Sequence, residues 1–104
     1  MSMSRAEQLI RLQEGIDAYN TPFSFKPGDV IELKPFLRNK QLPNYGQPII
    51  IIEVLDCPIH RNATNTSSVN FAESLDIRCG VRDEDGDVLF FYYNSRRFMP
   101  FKNE

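Results

Sequence analysis

Leu75, Ile77, Cys79 and Val81 alternate with mostly polar residues, the two-residue period of a strand with one buried face. The alternation stops at the acidic run Asp83-Glu84-Asp85-Gly86-Asp87, after which residues 88–93 are apolar on both faces. Asp85-Gly86 suits a type I′ turn, whose two central residues both take positive φ, so the two stretches predict a β-hairpin. A second doubly apolar strand is predicted where Ile49, Ile50, Ile51 and Ile52 run into Glu53-Val54-Leu55. Residues 30–34 read as a first strand. It follows Lys26-Pro27-Gly28-Asp29, in which Pro and Gly fill the two central positions of a type II turn. Residues 99–101 read as a short last strand after a single helical turn capped by Ser95.

The period changes at the N-terminal end. Leu9, Leu12, Ile16 and Tyr19, with Ile10 beside them, recur at helical spacing, and Arg11, Glu14 and Asp17 lie elsewhere. Ser4-Arg5-Ala6-Glu7 has the form of a capping box, and Asn20-Thr21-Pro22 ends the pattern. The prediction is one amphipathic helix of about four turns, in which Gly15 costs about 1 kcal/mol relative to Ala. Residues 35–48 hold three prolines, Tyr45-Gly46, and Arg38 and Lys40 without an acid, and read as a long ordered loop. Residues 56–70 are polar, with Pro58 and a Ser/Thr/Asn cluster, and read as a surface excursion.

Short strands after a single helix, with a long connection early and a short one late, suggest a small closed sheet. A Pro-Gly-Asp turn before the first strand, an Asp-Gly hairpin, a one-turn helix and a terminal strand resemble SH3-like barrels. The run Phe25-x-Pro27-Gly28-Asp29, Tyr45-Gly46-x-Pro48, Leu75-Asp76-Ile77 and Ser95-Arg96-Arg97-Phe98-x-Pro100 is similar to a family of small uncharacterised bacterial proteins. That resemblance spans residues 25–101 and implies a fold but no activity. The expected fold is therefore mainly β: a small five-stranded SH3-like barrel over residues 23–104, preceded in residues 1–22 by the amphipathic helix packed upon it, as one compact domain. A barrel buries only its inner face, so the outer sides of residues 49–52 and 88–93 need a cover. The helix is the first candidate and a second subunit the alternative.

At 104 residues and a net charge of −2, the chain has room for one modest core and no global bias toward nucleic acid or anionic membranes. No apolar run approaches the ~20 residues of a membrane-spanning helix, and acids interrupt the N-terminus from Glu7 onward, so a cytoplasmic protein without a membrane partner is expected. Cys57 and Cys79 fit that compartment as reduced thiols. The glycosylation patterns at Asn62 and Asn65 are then coincidental. Asp83, Asp85 and Asp87 begin like a calcium loop, but Val88 stands where Gly is needed and Asn94 where a bidentate Glu is needed. Cys57-x-x-His60 with Cys79 and Asp76 offers zinc-type ligands without a second close pair, and one His without an orienting partner specifies no nucleophile. No metal, cofactor or enzymatic activity is expected.

What remains is binding. Lys34, Phe36, Arg38, Lys40 and Tyr45 in the Pro-rich loop, with Arg96 and Arg97 in the Ser-Arg-Arg-Phe turn, combine the Tyr and Arg that interfaces favour. They point to a small non-enzymatic binding module for a protein partner as yet unidentified. RNA or DNA bound through the same basic loop is the first alternative, and a structural homo-oligomer such as a homodimer the second. For Arg96, pairing with Asp29 or Asp76 is the purely structural reading.

Overall fold

The computed structural model describes residues 3–60 and 74–102. The two glycosylation patterns and most of the predicted 56–70 excursion lie outside the described residues. Helix α1 spans Arg5–Tyr19 and starts as its sequence requires. Ser4 Oγ accepts the Glu7 amide at 3.1 Å and Glu7 Oε1 accepts the Ser4 amide at 3.0 Å. The Ser4 amide and hydroxyl hold the Glu7 carboxyl below its ordinary pKa. Behind it the turn at Pro27-Gly28 forms as expected. Asp29 N donates to Lys26 O at 3.1 Å, and Gly28 takes φ +95°, open to glycine at no steric cost.

Five strands follow: β1 Val30–Leu33, β2 Ile49–His60, β3 Ser74–Arg82, β4 Val88–Tyr93 and β5 Phe98–Pro100, with a 3₁₀ turn at Ser95–Arg97. They form one antiparallel sheet in the order β4-β3-β2-β1-β5. Strand β2 runs beyond the predicted residues 49–55 because it re-pairs with β3 at Ile59, opposite Leu75. The ladder slips between Val54 and Ile59, a stretch containing Pro58, which has no N–H to donate. The hairpin lies where predicted, but its turn is not type I′. Asp83 N donates to Asp87 O at 2.9 Å across a three-residue loop in which only Gly86 has positive φ, +91°. Asp83 Oδ1 accepts the amides of both Asp85 and Asp87 at 2.9 Å, which favours this longer turn over the two-residue one.

Strands β4 and β5 lie at opposite edges of the sheet, yet only residues 94–97 separate them along the chain. Five roughly 4.8 Å-spaced strands laid flat would hold these edges too far apart for that connection. The sheet therefore coils until Tyr93 and Phe98 meet edge to face, ring centroids 5.2 Å apart. Ser95 fixes the connection, its amide and hydroxyl donating to the Asp76 carboxylate of β3 at 2.7 and 2.6 Å. The cap of the 3₁₀ turn is Asn94, whose Oδ1 accepts the Arg96 amide, rather than Ser95. The expected closed barrel is not formed: among the described residues β4 pairs only with β3 and β5 only with β1. The 3₁₀ turn takes up the chain between them, and β5 has only three residues with which to pair.

Ile31, Leu33, Ile49, Ile51, Ile77, Cys79, Val81, Tyr93 and Phe98 fill the inside of the coil, with Phe25, Leu42 and Leu89 packed against them. The alternation of β3 is realised in full, from Leu75 to Val81. On the outside, Val30, Ile50, Ile52, Val88, Phe90 and Tyr92 are 39–61 % exposed. Helix α1 does not cover them. It rests instead on the 3₁₀ turn and on the segment after β1, where Gly15 lies against Phe36 and Leu37.

Two outcomes follow. A Cβ placed on Gly15 would sit 3.7 Å from Phe36 Cβ and 3.9 Å from Leu37 Cδ2, ordinary contact distances. Gly15→Ala should therefore raise stability by about 0.5–1 kcal/mol in chemical denaturation, the helical cost of glycine being removed without a clash; a loss of stability would show the helix seated closer than this. Burial, with the Asp76 charge, pushes the Cys79 thiol up to about 12, whereas Cys57 is exposed. Ellman titration at pH 8 should count one fast thiol in the native protein, lost in Cys57→Ser, and a second only in denaturant.

Candidate functional site

A groove of about 1170 Å³ runs between α1 and the end of the sheet that carries β1, β5 and the loop after β1. One wall is helical. At about 100° per residue, Leu12 and Ile16 lie off to one side of Gly15, the position where α1 touches the body. The apolar stripe thus stands beside the contact, with Leu9, Leu12 and Ile16 more than half exposed. The other wall comes from Leu33 and Met99 of the sheet and from Phe36, Leu37 and Tyr45 of the loop.

Lys34 holds the walls together. Its Nζ donates to the carbonyls of Ala18 and of Thr21, the latter at 2.7 Å, and lies 5.3 Å from the Phe23 ring centroid. Those carbonyls belong to the last turn of α1 and the residues after it, the negative end of the helix dipole, which favours a cation. Burial pushes this ammonium below the ordinary lysine range, with Arg96 adding to the shift. The second tie is Asn94 Nδ2, donating to Tyr19 Oη at 2.7 Å.

The seven residues singled out in the sequence do not form one set. Phe36, Tyr45 and Arg97 line the groove. Arg97 also donates to Leu37 O at 3.0 Å and sits 5.5 Å from the Tyr19 ring centroid, while Arg96 lies 5.7 Å from the same centroid. Asp76 is engaged by Ser95 and Asp29 accepts the Lys26 amide, so neither shows the predicted partnership with Arg96. Lys34, Arg38 and Lys40 are directed at main-chain carbonyls. Arg38 donates to Lys40 O at 3.1 Å and Gln41 O at 2.8 Å, and Lys40 Nζ reaches Tyr92 O at 3.1 Å and the face of Tyr93. Tyr45 Oη accepts the Arg38 amide at 3.1 Å.

Phe36 is the unusual member. It takes φ +69°, a left-handed conformation that bulky side chains rarely adopt, and keeps its ring exposed under the Arg11 guanidinium, 4.9 Å from the centroid. Arg11, Leu12, Ile16 and Tyr19 are site residues outside the set that motif reasoning selects. Their signal is the helical stripe, which periodicity alone assigns to packing. No cluster of three His, Cys, Asp or Glu able to hold a metal occurs among the described residues. No helix among them is long and apolar enough to cross a membrane. No known protein family, curated protein or solved structure matches the chain.

If Lys34 is the tie, Lys34→Met should lower stability by about 1.5–3 kcal/mol, the range for hydrogen bonds from a charged donor. Amide exchange should accelerate at residues 16–21 while β3 stays protected. Unchanged exchange at the helix end would mean that Asn94 and Tyr19 suffice.

Proposed function

We propose that this chain is a small, cytoplasmic, non-enzymatic binding module and that its partner is a protein whose apolar side chains enter the groove beside α1. The single observation that carries the reading is the rotation of α1: its apolar stripe borders a groove instead of a core. A helix that presents Leu12 and Ile16 across from an exposed, strained Phe36 gains by covering them, because burying a large apolar side chain is worth about 1.5–3 kcal/mol. Arg11, Arg96 and Arg97 at the margin favour acidic residues flanking the apolar anchor.

RNA or DNA through the Pro-rich loop is less well supported, because Lys34, Arg38 and Lys40 point at carbonyls and aromatic faces of their own chain. The strand order and the 3₁₀ turn before the last strand support reading the coiled sheet as an opened relative of SH3-like barrels. The two thiols, one buried in the core, are compatible with a reducing compartment.

Selection from a displayed random-peptide library tests the reading. The full chain should enrich peptides with bulky apolar anchors and neighbouring Asp or Glu, and Leu12→Asp or Phe36→Asp should weaken the purified peptides by about tenfold or more. Both side chains are exposed, so circular dichroism should remain unchanged. Failure to enrich any such class, or enriched peptides indifferent to both substitutions, would reject the groove. Saturable, steeply salt-dependent binding of single-stranded RNA, lost in Arg96→Ala with Arg97→Ala, would move the assignment to nucleic acid.

A further inference from the structure

The outer face of the sheet carries a second apolar surface, distinct from the groove. Val30 pairs with Ile50, Ile50 with Gly80 and Gly80 with Phe90, so these four residues form one continuous rung across β1, β2, β3 and β4. They face outward, because their neighbours Ile31, Ile49, Cys79 and Val81 are buried inside. The next outward rung is Glu53, Arg78 and Tyr92, and Arg82 with Val88 forms the one on the other side. Ile52, the extra residue of the bulge between Ile51 and Glu53, adds to the patch. Arg78 lies over Phe90, its guanidinium carbon 5.4 Å from the ring centroid, so its charge is held beside the apolar rung.

We propose that a second copy of this chain covers this face, through a two-fold axis running along the strands between β2 and β3. Such an axis exchanges β2 with β3 and β1 with β4. Each Ile50 then lies over the other copy's Gly80, the one position in the rung without a side chain, walled by Phe90 and Val88. Each Val30 meets the other copy's Phe90. Each exposed Glu53 falls opposite the other copy's Arg78, so the acid beside the central rung pairs with a base across the interface. An axis across the strands would place Ile50 on Ile50 and Phe90 on Phe90, and would set each Arg78 against the other copy's Arg82, like charge on like. Beside its central rung the face matches Glu53 with Arg78, and its other base, Arg82, donates to the Asp83 carbonyl of its own chain at 3.3 Å; a crossed acid–base pair suits self-association better than an acidic or a basic partner. Aligned face-to-face packing of two twisted sheets is a common arrangement. Pairing through the free edge of β4 is less favoured, since Lys40 of the same chain already takes the Tyr92 carbonyl.

The test is sedimentation equilibrium of the full chain over micromolar to millimolar concentrations. The wild type should approach twice the chain mass, and Ile50→Glu should weaken association by about tenfold or more. Glu53→Arg and Arg78→Glu should each weaken self-association several-fold. Mixed one to one, they should associate about as tightly as the wild type. In the mixed dimer the two introduced side chains, of opposite charge, face each other, and the native Arg78 of one variant faces the native Glu53 of the other. A monomeric wild type throughout the range would overturn the proposal. So would a dimer insensitive to Ile50→Glu, or charge variants that gain nothing on mixing. The charge pair keeps the test decisive even if Ile50→Glu unfolds the chain.

Discussion

The edge-to-face contact of Tyr93 with Phe98 is the constraint around which the other features are arranged. It joins the last residue of β4 to the first of β5, two strands at opposite edges of the sheet with four residues between them. Satisfying it forces the sheet to coil, gives the coil an inside, and assigns the alternating residues of β3 to that inside. The 3₁₀ turn that makes the connection must then be fixed in place. Asp76 does this from β3 by accepting both the amide and the hydroxyl of Ser95, so a carboxylate that resembles a partner for Arg96 is used for chain closure. Close to the same turn, Lys34 and Asn94 hold the end of α1. The groove is thus a by-product of how the sheet is coiled and where the helix is tied.

Coiling also decides what is left outside. A single sheet wrapped on itself offers one interior, and this chain has more apolar side chains than that interior takes. Strand β4 has a single buried residue, Tyr93, although all six of its side chains are apolar or aromatic. Two groups stand out in the unburied remainder, the helical stripe beside the groove and the rung from Val30 to Phe90. At about 25 cal/mol per Å² of apolar surface covered, each holds several kcal/mol that folding alone does not use. Association must still offset lost translational and rotational freedom, which explains why such patches become interfaces only where shape and charge also match.

Local chemistry is the legible part of the sequence. Ser4 with Glu7, Pro27 with Gly28, and the alternation from Leu75 to Val81 each require only neighbouring residues to agree, and each appears as read. The dipeptide Asp85-Gly86 misleads about turn type because it leaves out Asp83, whose carboxylate reaches two amides further on. Pro58 misleads about the end of β2 because it looks like a strand terminator, whereas the strand slips register and resumes. Nothing in the helical period reveals the seating of α1. Periodicity says which face of a helix is apolar, not what that face meets; Gly15, a cost on the propensity scale, is the contact point. The basic loop misleads in a related way. Lys34, Arg38 and Lys40 register in a sequence as charge, but each is long enough to reach carbonyls on its own chain.

Charge distribution separates the two surfaces. Arg11 and Arg97 line the groove and Arg96 lies by its Tyr19 ring, while Glu32, the one carboxylate among the described lining residues, already accepts the Lys102 amide at 2.8 Å. A surface with an excess of one sign repels its own image, so it selects a partner of different composition. The sheet face carries Glu53 and Arg78 side by side in the register, and a two-fold turns that neighbouring pair into two crossed ones. The proposed self-association and the proposed partner binding thus rest on different parts of the molecule, separated by the placement of a few charges, and on each the apolar area would supply most of the driving force.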